Sequence, residues 1–228
     1  MQQHNWLVRA LDLAGTSLPA IRSEVGRMLE EHDLRCGGTK PRRYLAYGVS
    51  SRLISRAAFK TGAFGGLVSA PAILPGIGTI GTLFVGITAD FAYLTKQQIE
   101  LCYGISAAYE VPMDEDELQA TALALIGFSG SAEAVKGVAV RGLRGVVDEL
   151  TQRYLETGVA DSAVDMSRFL GPRFLGKAHK LIPLIGIPLS ASINMTSTMM
   201  VGNQARRYFS TWDREPGVVF NAVTEKAD

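Results

Sequence analysis

Polar side chains next to long uncharged segments are the residues of this sequence that could do chemistry. Asp90 is the first acidic residue after the uncharged segment 61–89, and Gln97 follows it seven positions later. Residues two helical turns apart lie on one face of a helix, so this pair could bind a polar group. Asn194 stands inside a second uncharged segment, 181–205. For Asp90 and Asn194 the interpretation that we favour is a buried residue that hydrogen-bonds a neighbouring helix, with a binding role as the alternative.

The sequence contains no recognisable catalytic arrangement. His4, His32 and His179 are scattered, and no HxxxH, HExxH or GxSxG motif is present. The serines of SGSAEA, Ser129 and Ser131, are better explained as helix caps. The glycines of PGIGTIG lack the preceding strand and the following lysine of a phosphate-binding loop. We therefore expect no cofactor and no metal, and a hydrolase or transferase is the least favoured class of function.

Basic residues are concentrated ahead of both uncharged segments, within the acid-free ranges 34–89 and 166–212. We expect these cations to form a membrane-surface patch that binds anionic lipid headgroups. The predicted patch consists of Arg35, Lys40, Arg42, Arg43, Arg52, Arg56, Lys60, Arg173, Lys177 and Lys180. Because Tyr44 and Tyr47 adjoin the first group, RNA phosphates are an alternative ligand, and a solvated helix face is another. The neighbouring apolar segments favour lipid, so no nucleic-acid partner is expected.

The composition indicates a packed or membrane-associated chain. Of 228 residues, 47% are hydrophobic and 20% are charged, which excludes a disordered chain. Both uncharged segments exceed the roughly 20 residues that a membrane-spanning helix needs. Prolines within both segments argue against continuous spanning helices, because each proline removes a backbone hydrogen bond. A buried core, shallow membrane contact and full spanning stay open as alternatives.

Two features favour the cytoplasm. Cys36 and Cys102 lack metal-like spacing and are interpreted as free thiols in a reducing compartment. The first residues, MQQHNWLVRALDLAG, lack the apolar run and cleavage site of a signal peptide. We therefore expect a cytoplasmic protein that contacts the inner face of the cell membrane peripherally.

Apolar residues recur at three- and four-residue spacing, without alternating strand patterns, so we predict an all-α multi-helix bundle with two glycine-rich apolar helical segments. The predicted helical ranges are 4–31 (a pair), 42–69, 77–109, 115–129, 132–157, 160–180 and 184–212. Paired glycines and a proline predict a loop over 32–41, and Asp114 with Glu117 has the spacing of a helix cap.

The chain is predicted to have three parts: amphipathic helices and a loop over 1–40, a helical domain over 41–212, and a polar tail over 213–228. Within the domain, PGIG at 75–78 matches PLIG at 183–186. Each of these short matches precedes a long helical pattern rich in small residues. A weak internal repeat is therefore an open alternative.

The order of these motifs resembles the EcsC family of bacterial proteins, over about residues 43 to 209. Glycine-rich GAFGGL and PGIGTIG precede the first matching block, and LIPLIGIPLSASIN opens the second. The matching residues are Asp90, Gln97, Tyr103 and Gly104, then Pro183, Gly186, Asn194, Ala205, Arg206, Tyr208 and Phe209. The hydrophobic domains of some bacterial GTPase-associated proteins are a competing match. The resemblance implies a bacterial setting near an ABC exporter, and it carries over no catalytic residue.

The leading hypothesis is a non-enzymatic protein that associates peripherally with the cytoplasmic membrane or with a membrane transport partner. The alternative is a helical binding module that holds an apolar ligand, a lipid or a partner helix. We also expect Asp90 and Asn194 to face each other's helical layer and to be the least exposed polar side chains of their segments. The reason is that an unpaired polar group in apolar surroundings costs about 1–3 kcal/mol.

Overall fold

A computed structural model of the chain describes residues 18–69, 80–129, 140–158 and 183–212, and within them the side chains of 18–65, 93–129, 142–158 and 191–212. The helices are α1 (Leu18–Arg35), α2 (Arg42–Ser69), α3 (Ile80–Ala108), α4 (Glu115–Ser129), α5 (Val140–Thr157) and α6 (Pro183–Phe209). The described ranges contain helices and short connections without any strand, which confirms the predicted all-α bundle.

Local sequence signals set the helix ends. Helix α1 continues to Arg35, so the predicted boundary at residue 31 is wrong; it stops where Gly37 and Gly38 adopt φ values of 76° and 69°. Glycine takes this left-handed conformation without steric cost, which makes it a common helix terminator. Helix α4 begins as predicted, because the backbone N–H of Glu117 donates to Asp114 Oδ1 at 2.8 Å.

Helices α2, α3 and α6 form the centre of the bundle. The most extensive contact is between α2 and α6, and α3 packs against both. Hydroxyl groups of Thr61 and Thr198 lie 2.9 Å apart, and Arg206 donates to Ser51 Oγ at 2.8 Å. Since the residue number falls along α2 as it rises along α6, these two helices are antiparallel.

A glycine lets the three central helices approach closely. A Cβ atom built on Gly202 of α6 would lie 2.6 Å from Ile54 Cγ1 of α2 and 3.0 Å from Leu101 Cδ2 of α3. Carbon atoms pack best at about 3.5–4.0 Å, so a side chain at this position would collide with both neighbours. Helix α3 runs antiparallel to α2 and parallel to α6.

The other three helices flank this centre. Helix α1, from the predicted segment 1–40, packs against α2 and α3, whereas α4 packs against α3, α5 and α6. Helix α5 contributes the buried Leu143 and Val147 to the main core, and Tyr208 of α6 donates a hydrogen bond to Asp148 at 2.6 Å. Both cysteines are free, as expected.

Several predicted elements lie outside the described residues: the helix within 4–17, the breaker region 70–78, the helix 160–180 and the tail 213–228. Among the described helices, none has both the length and the apolar character that crossing a bilayer requires.

Candidate functional site

Two of the predicted ligand-binding residues lie in different places. Gln97 lines a groove between α1, α2 and α3. Asn194 is buried on α6, with 6% of its surface exposed, and its backbone carbonyl lies 3.4 Å from Thr61 Oγ1. The side chain of Asp90, in α3, lies outside the described residues, and so does its predicted arrangement opposite Asn194. The described part of the structure therefore does not bring Gln97 and Asn194 into one site.

Asn194 belongs to a buried layer of polar residues at the centre of the bundle. The hydroxyls of Thr61 and Thr198 pair there, and Gln98 Nε2 donates to Ser197 Oγ at 3.0 Å. Thr198, at 0% exposed, is more buried than Asn194, so the prediction that Asn194 is the least exposed polar side chain of its segment is wrong. Its predicted burial is confirmed. Because buried polar groups must be paired, their hydrogen bonds join α6 to both α2 and α3.

The groove between α1, α2 and α3, called the α1–α3 groove below, has an apolar floor and a charged rim. Its volume is about 120 Å³. The floor includes Val25, Leu53 and Leu101, and it also includes Gly104, where an added Cβ would lie 3.2 Å from Leu53 Cδ1. Glycine at this position keeps α1 and α2 close to α3 without filling the floor.

Ion pairs and hydrogen bonds organise the rim of the α1–α3 groove. Arg56 Nη1 lies 2.8 Å from Glu24 Oε1, which joins α2 to α1. On α3, Gln97 Nε2 donates to Glu100 Oε2 at 2.7 Å. Lys60 also lines the groove, and no ion pair or hydrogen bond connects it to another described residue. The sequence pointed to Gln97, Arg56 and Lys60; it gave no signal for the two glutamates, which reach the groove from separate helices.

The predicted basic patch is divided by the fold. Near the start of α2, Arg42 pairs with Glu110, and Arg43 donates to the carbonyl of Ser210. Further along the helix, cations recur at every fourth residue and form a stripe. The stripe consists of Arg52, Arg56 and Lys60. With a rise of 1.5 Å per residue, residues 42 and 60 are about 27 Å apart along the axis.

The remaining members of the predicted patch do not rejoin the two groups. Arg35 pairs with Glu31 within α1 at 3.1 Å, and the Lys40 ammonium lies 5.6 Å from the ring centre of Tyr44. Arg173, Lys177 and Lys180 lie outside the described residues. In the described part of the chain, the stripe on α2 is therefore the basic surface next to the uncharged segments.

Uncharged segments of the three central helices meet at one end of the bundle. We call this the charge-free end: 61–69 of α2, 80–89 of α3 and 183–199 of α6, which contain no charged residue. Phe64 stacks on Tyr93 with ring centres 4.0 Å apart, and a Cβ on Gly62 would lie 3.3 Å from the Ala191 carbonyl oxygen. These contacts place the three segments side by side.

Large apolar side chains are exposed where the charge-free end begins. Phe59 of α2 is 70% exposed, and Ile193 and Met199 of α6 are 45% and 44% exposed. Met195 between them is 37% exposed. Contiguous exposed apolar residues are typical of surfaces that contact a membrane or a partner.

Burial governs titration in the described part of the structure, where every resolved pKa shift is upward. Burial raises the pKa of the Cys102 thiol to about 12. Burial also raises the pKa of Tyr208, and the hydrogen bond to Asp148 adds to this. A lowered pKa, which is one way to activate a nucleophile, is not among the shifts resolved for the described residues. Among the described residues no group of potential metal ligands is found either.

Comparison with family models, curated proteins and solved structures finds no match to this chain. The resemblance to the EcsC family therefore stays a prediction. Function is inferred from the two geometric features above, the charge-free end and the α1–α3 groove.

Proposed function

We propose that this protein is non-enzymatic and associates peripherally with the cytoplasmic face of a bacterial membrane by inserting its charge-free end into one leaflet. The observation that carries the proposal is the meeting of three uncharged helical segments at one end of the bundle, beside the exposed side chain of Ile193. Burying a side chain of this size in an apolar medium contributes about 1.5–3 kcal/mol.

The length of the charge-free end suits one leaflet. In α3, ten residues separate the start of the helix at Ile80 from the first charge at Asp90, a rise of about 15 Å. The hydrocarbon core of a bilayer is about 30 Å thick, so this segment would reach its midplane without crossing it. Helix α6 runs parallel to α3 and begins at the same end, which adds a second uncharged segment beside it.

Cations lie where the headgroups would be. Lys60 is the last charged residue of α2, and Lys96 follows Asp90 by six residues on α3, about 9 Å further from the midplane. Lys60 makes no ion pair with another described residue, so it is available to lipid phosphates, whereas Arg52 lies about 12 Å further from the membrane along α2. Each basic residue near an anionic surface contributes about 1 kcal/mol. The resemblance to the EcsC family supports the same setting, including a membrane transport partner as a second contact.

Flotation with liposomes tests the proposal. We expect binding to increase with anionic lipid content and to fall about fivefold when Lys60 is changed to Gln, since this removes about 1 kcal/mol. The matched control is Arg153→Gln. This side chain is 64% exposed on α5, a helix that packs against α4 and α6.

A second comparison separates insertion from simple charge attraction. Ile193→Ser should weaken binding at every salt concentration, because it removes an apolar contact at the charge-free end. Leu34→Ser is the matched control: this residue is 80% exposed near the other end of the bundle. Equal lack of binding to neutral and anionic vesicles at low salt, or equal losses in the two serine variants, would contradict the proposal.

A further inference from the structure

The rim of the α1–α3 groove presents charges of both signs around an apolar floor. Lys60 supplies an ammonium group that is not paired within the described residues. Glu100 supplies a carboxylate that accepts from Gln97 and lies 3.8 Å from Lys96 Nζ. A carboxylate has about four lone-pair sites, and the hydrogen bond from Nε2 leaves the Gln97 amide oxygen able to accept. A ligand that carries a phosphate and an ammonium would complement both sides of this rim.

The size of the groove limits what can enter it. A volume of about 120 Å³ holds roughly four water molecules, each with a share of about 30 Å³ in the liquid. A short ethylammonium arm fits this space, while an attached phosphate stays at the open rim beside Lys60 and Arg56. Gly104 keeps the floor free, since an added Cβ would lie 3.2 Å from Leu53 Cδ1 and push that side chain toward the groove.

The position of the groove relative to the charge-free end indicates a lipid as the source of this ligand. Gln97 lies seven residues beyond Asp90 on α3, about 10 Å along the helix. If 80–89 occupy the hydrocarbon of one leaflet, the groove lies about 3–5 Å beyond the headgroup region, which extends about 5–7 Å beyond the hydrocarbon on each side. The long Lys60 side chain can cover the remaining distance.

The lining distinguishes between the two common zwitterionic headgroups. A primary ammonium donates three hydrogen bonds, which Glu100, Glu24 and the amide oxygen of Gln97 can accept. A quaternary ammonium donates none and is recognised by aromatic faces. Within the described lining of the groove there is no aromatic ring. The lining therefore suits ethanolamine and does not suit choline.

We infer that the α1–α3 groove binds the phosphoethanolamine headgroup of a phospholipid, with its ammonium at Glu100 and Gln97 and its phosphate at Lys60. This inference rests on the proposed membrane association, because the lipid reaches the groove only if the charge-free end is inserted. It assigns the groove a role in choosing among lipids that the charge-free end alone does not provide.

Vesicles of constant anionic content, with the zwitterionic lipid either phosphatidylethanolamine or phosphatidylcholine, test the inference by flotation. The wild-type chain should bind the ethanolamine vesicles about tenfold more tightly, equivalent to one charge-assisted contact. Glu100→Gln should bind both vesicles with the weaker, choline-like affinity. Glu149→Gln on α5, 72% exposed, is the matched control and should keep the preference. Thermal unfolding of each variant establishes that it is folded.

A vesicle-free measurement separates headgroup recognition from effects of lipid packing. Glycerophosphoethanolamine should shift the backbone amide resonance of Gly104 in the ¹H–¹⁵N spectrum, and glycerophosphocholine should not. Vesicle binding without any ethanolamine preference, or a preference that Glu100→Gln retains, would overturn the inference and leave the proposed membrane association intact. A Gly104 shift without binding to vesicles of any composition would instead refute the membrane association and the lipid as the source.

Discussion

Replacing Gly202 with alanine tests the close packing of the three central helices. The added methyl would lie 2.6 Å from Ile54 Cγ1, 3.0 Å from Leu101 Cδ2 and 3.3 Å from Ile54 Cδ1. Ile54 and Leu101 are each 4% exposed, and a β-branched isoleucine in a helix has essentially one χ1 rotamer, so neither yields easily. Overpacking of this kind costs about 1–3 kcal/mol, against about 1 kcal/mol gained in helix propensity. We expect a net loss of up to about 2 kcal/mol.

Gly145→Ala provides the matched control for this prediction. Gly145 lies inside α5, and a Cβ there meets nothing within 4 Å among the atoms around it. The same substitution should therefore stabilise the protein by about 0.5–1 kcal/mol, because only the helix propensity changes. Urea unfolding followed by circular dichroism measures both effects.

Compensation at Ile54 identifies the cause. If the clash with this side chain destabilises Gly202→Ala, then adding Ile54→Ala, which removes both Cγ1 and Cδ1, should cost less than the sum of the two single effects, by at least about 0.5 kcal/mol. Equal and same-sign effects of the two glycine substitutions, or full additivity of Gly202→Ala with Ile54→Ala, would refute the packing argument.

Three further predictions concern the two cysteines and the buried pair Thr61 and Thr198. Because burial raises the Cys102 pKa to about 12 from its ordinary 9.0, the unfolding free energy should fall as pH rises between these values, less steeply in Cys102→Ala. At pH 8 a thiol reagent should modify Cys36 in the native protein and Cys102 only after unfolding. Thr61→Val should cost about 1–2 kcal/mol by leaving the Thr198 hydroxyl unpaired; the Thr61→Val/Thr198→Val double variant, measured by urea unfolding, should cost less than the sum.

Features set by neighbouring residues were predictable from the sequence. The three- and four-residue apolar spacing predicted the helices, and the spacing of Asp114 and Glu117 predicted the start of α4. Both signals act within one or two helical turns. The sequence pattern predicts the end of α1 four residues too early. The helical hydrogen bonds continue past the first polar residues and stop only at the two left-handed glycines.

Features that depend on the packing of distant segments could not be predicted in the same way. Glu24 and Glu100 meet at one groove because α1 and α3 pack side by side, and neither residue stands in a motif. Gln97 lines the groove, whereas its neighbour Gln98 belongs to the buried polar layer. This difference depends on where α1 and α6 pack against α3, which the sequence does not show. The basic residues looked like one cluster because the distance along a helix axis is not apparent in a linear sequence.

The depth of two labelled sites in the bilayer tests the proposed insertion most directly. A polarity-sensitive fluorophore is attached to Ile193→Cys at the charge-free end or to Leu34→Cys near the opposite end, each in a Cys36→Ser background, since the buried Cys102 should not react. With anionic vesicles, the label at residue 193 should shift to a shorter emission wavelength and be quenched by lipids with brominated acyl chains, whereas the label at residue 34 should show neither effect. Vesicle-bound protein with residue 193 unquenched, or with both sites quenched equally, would contradict insertion through the charge-free end.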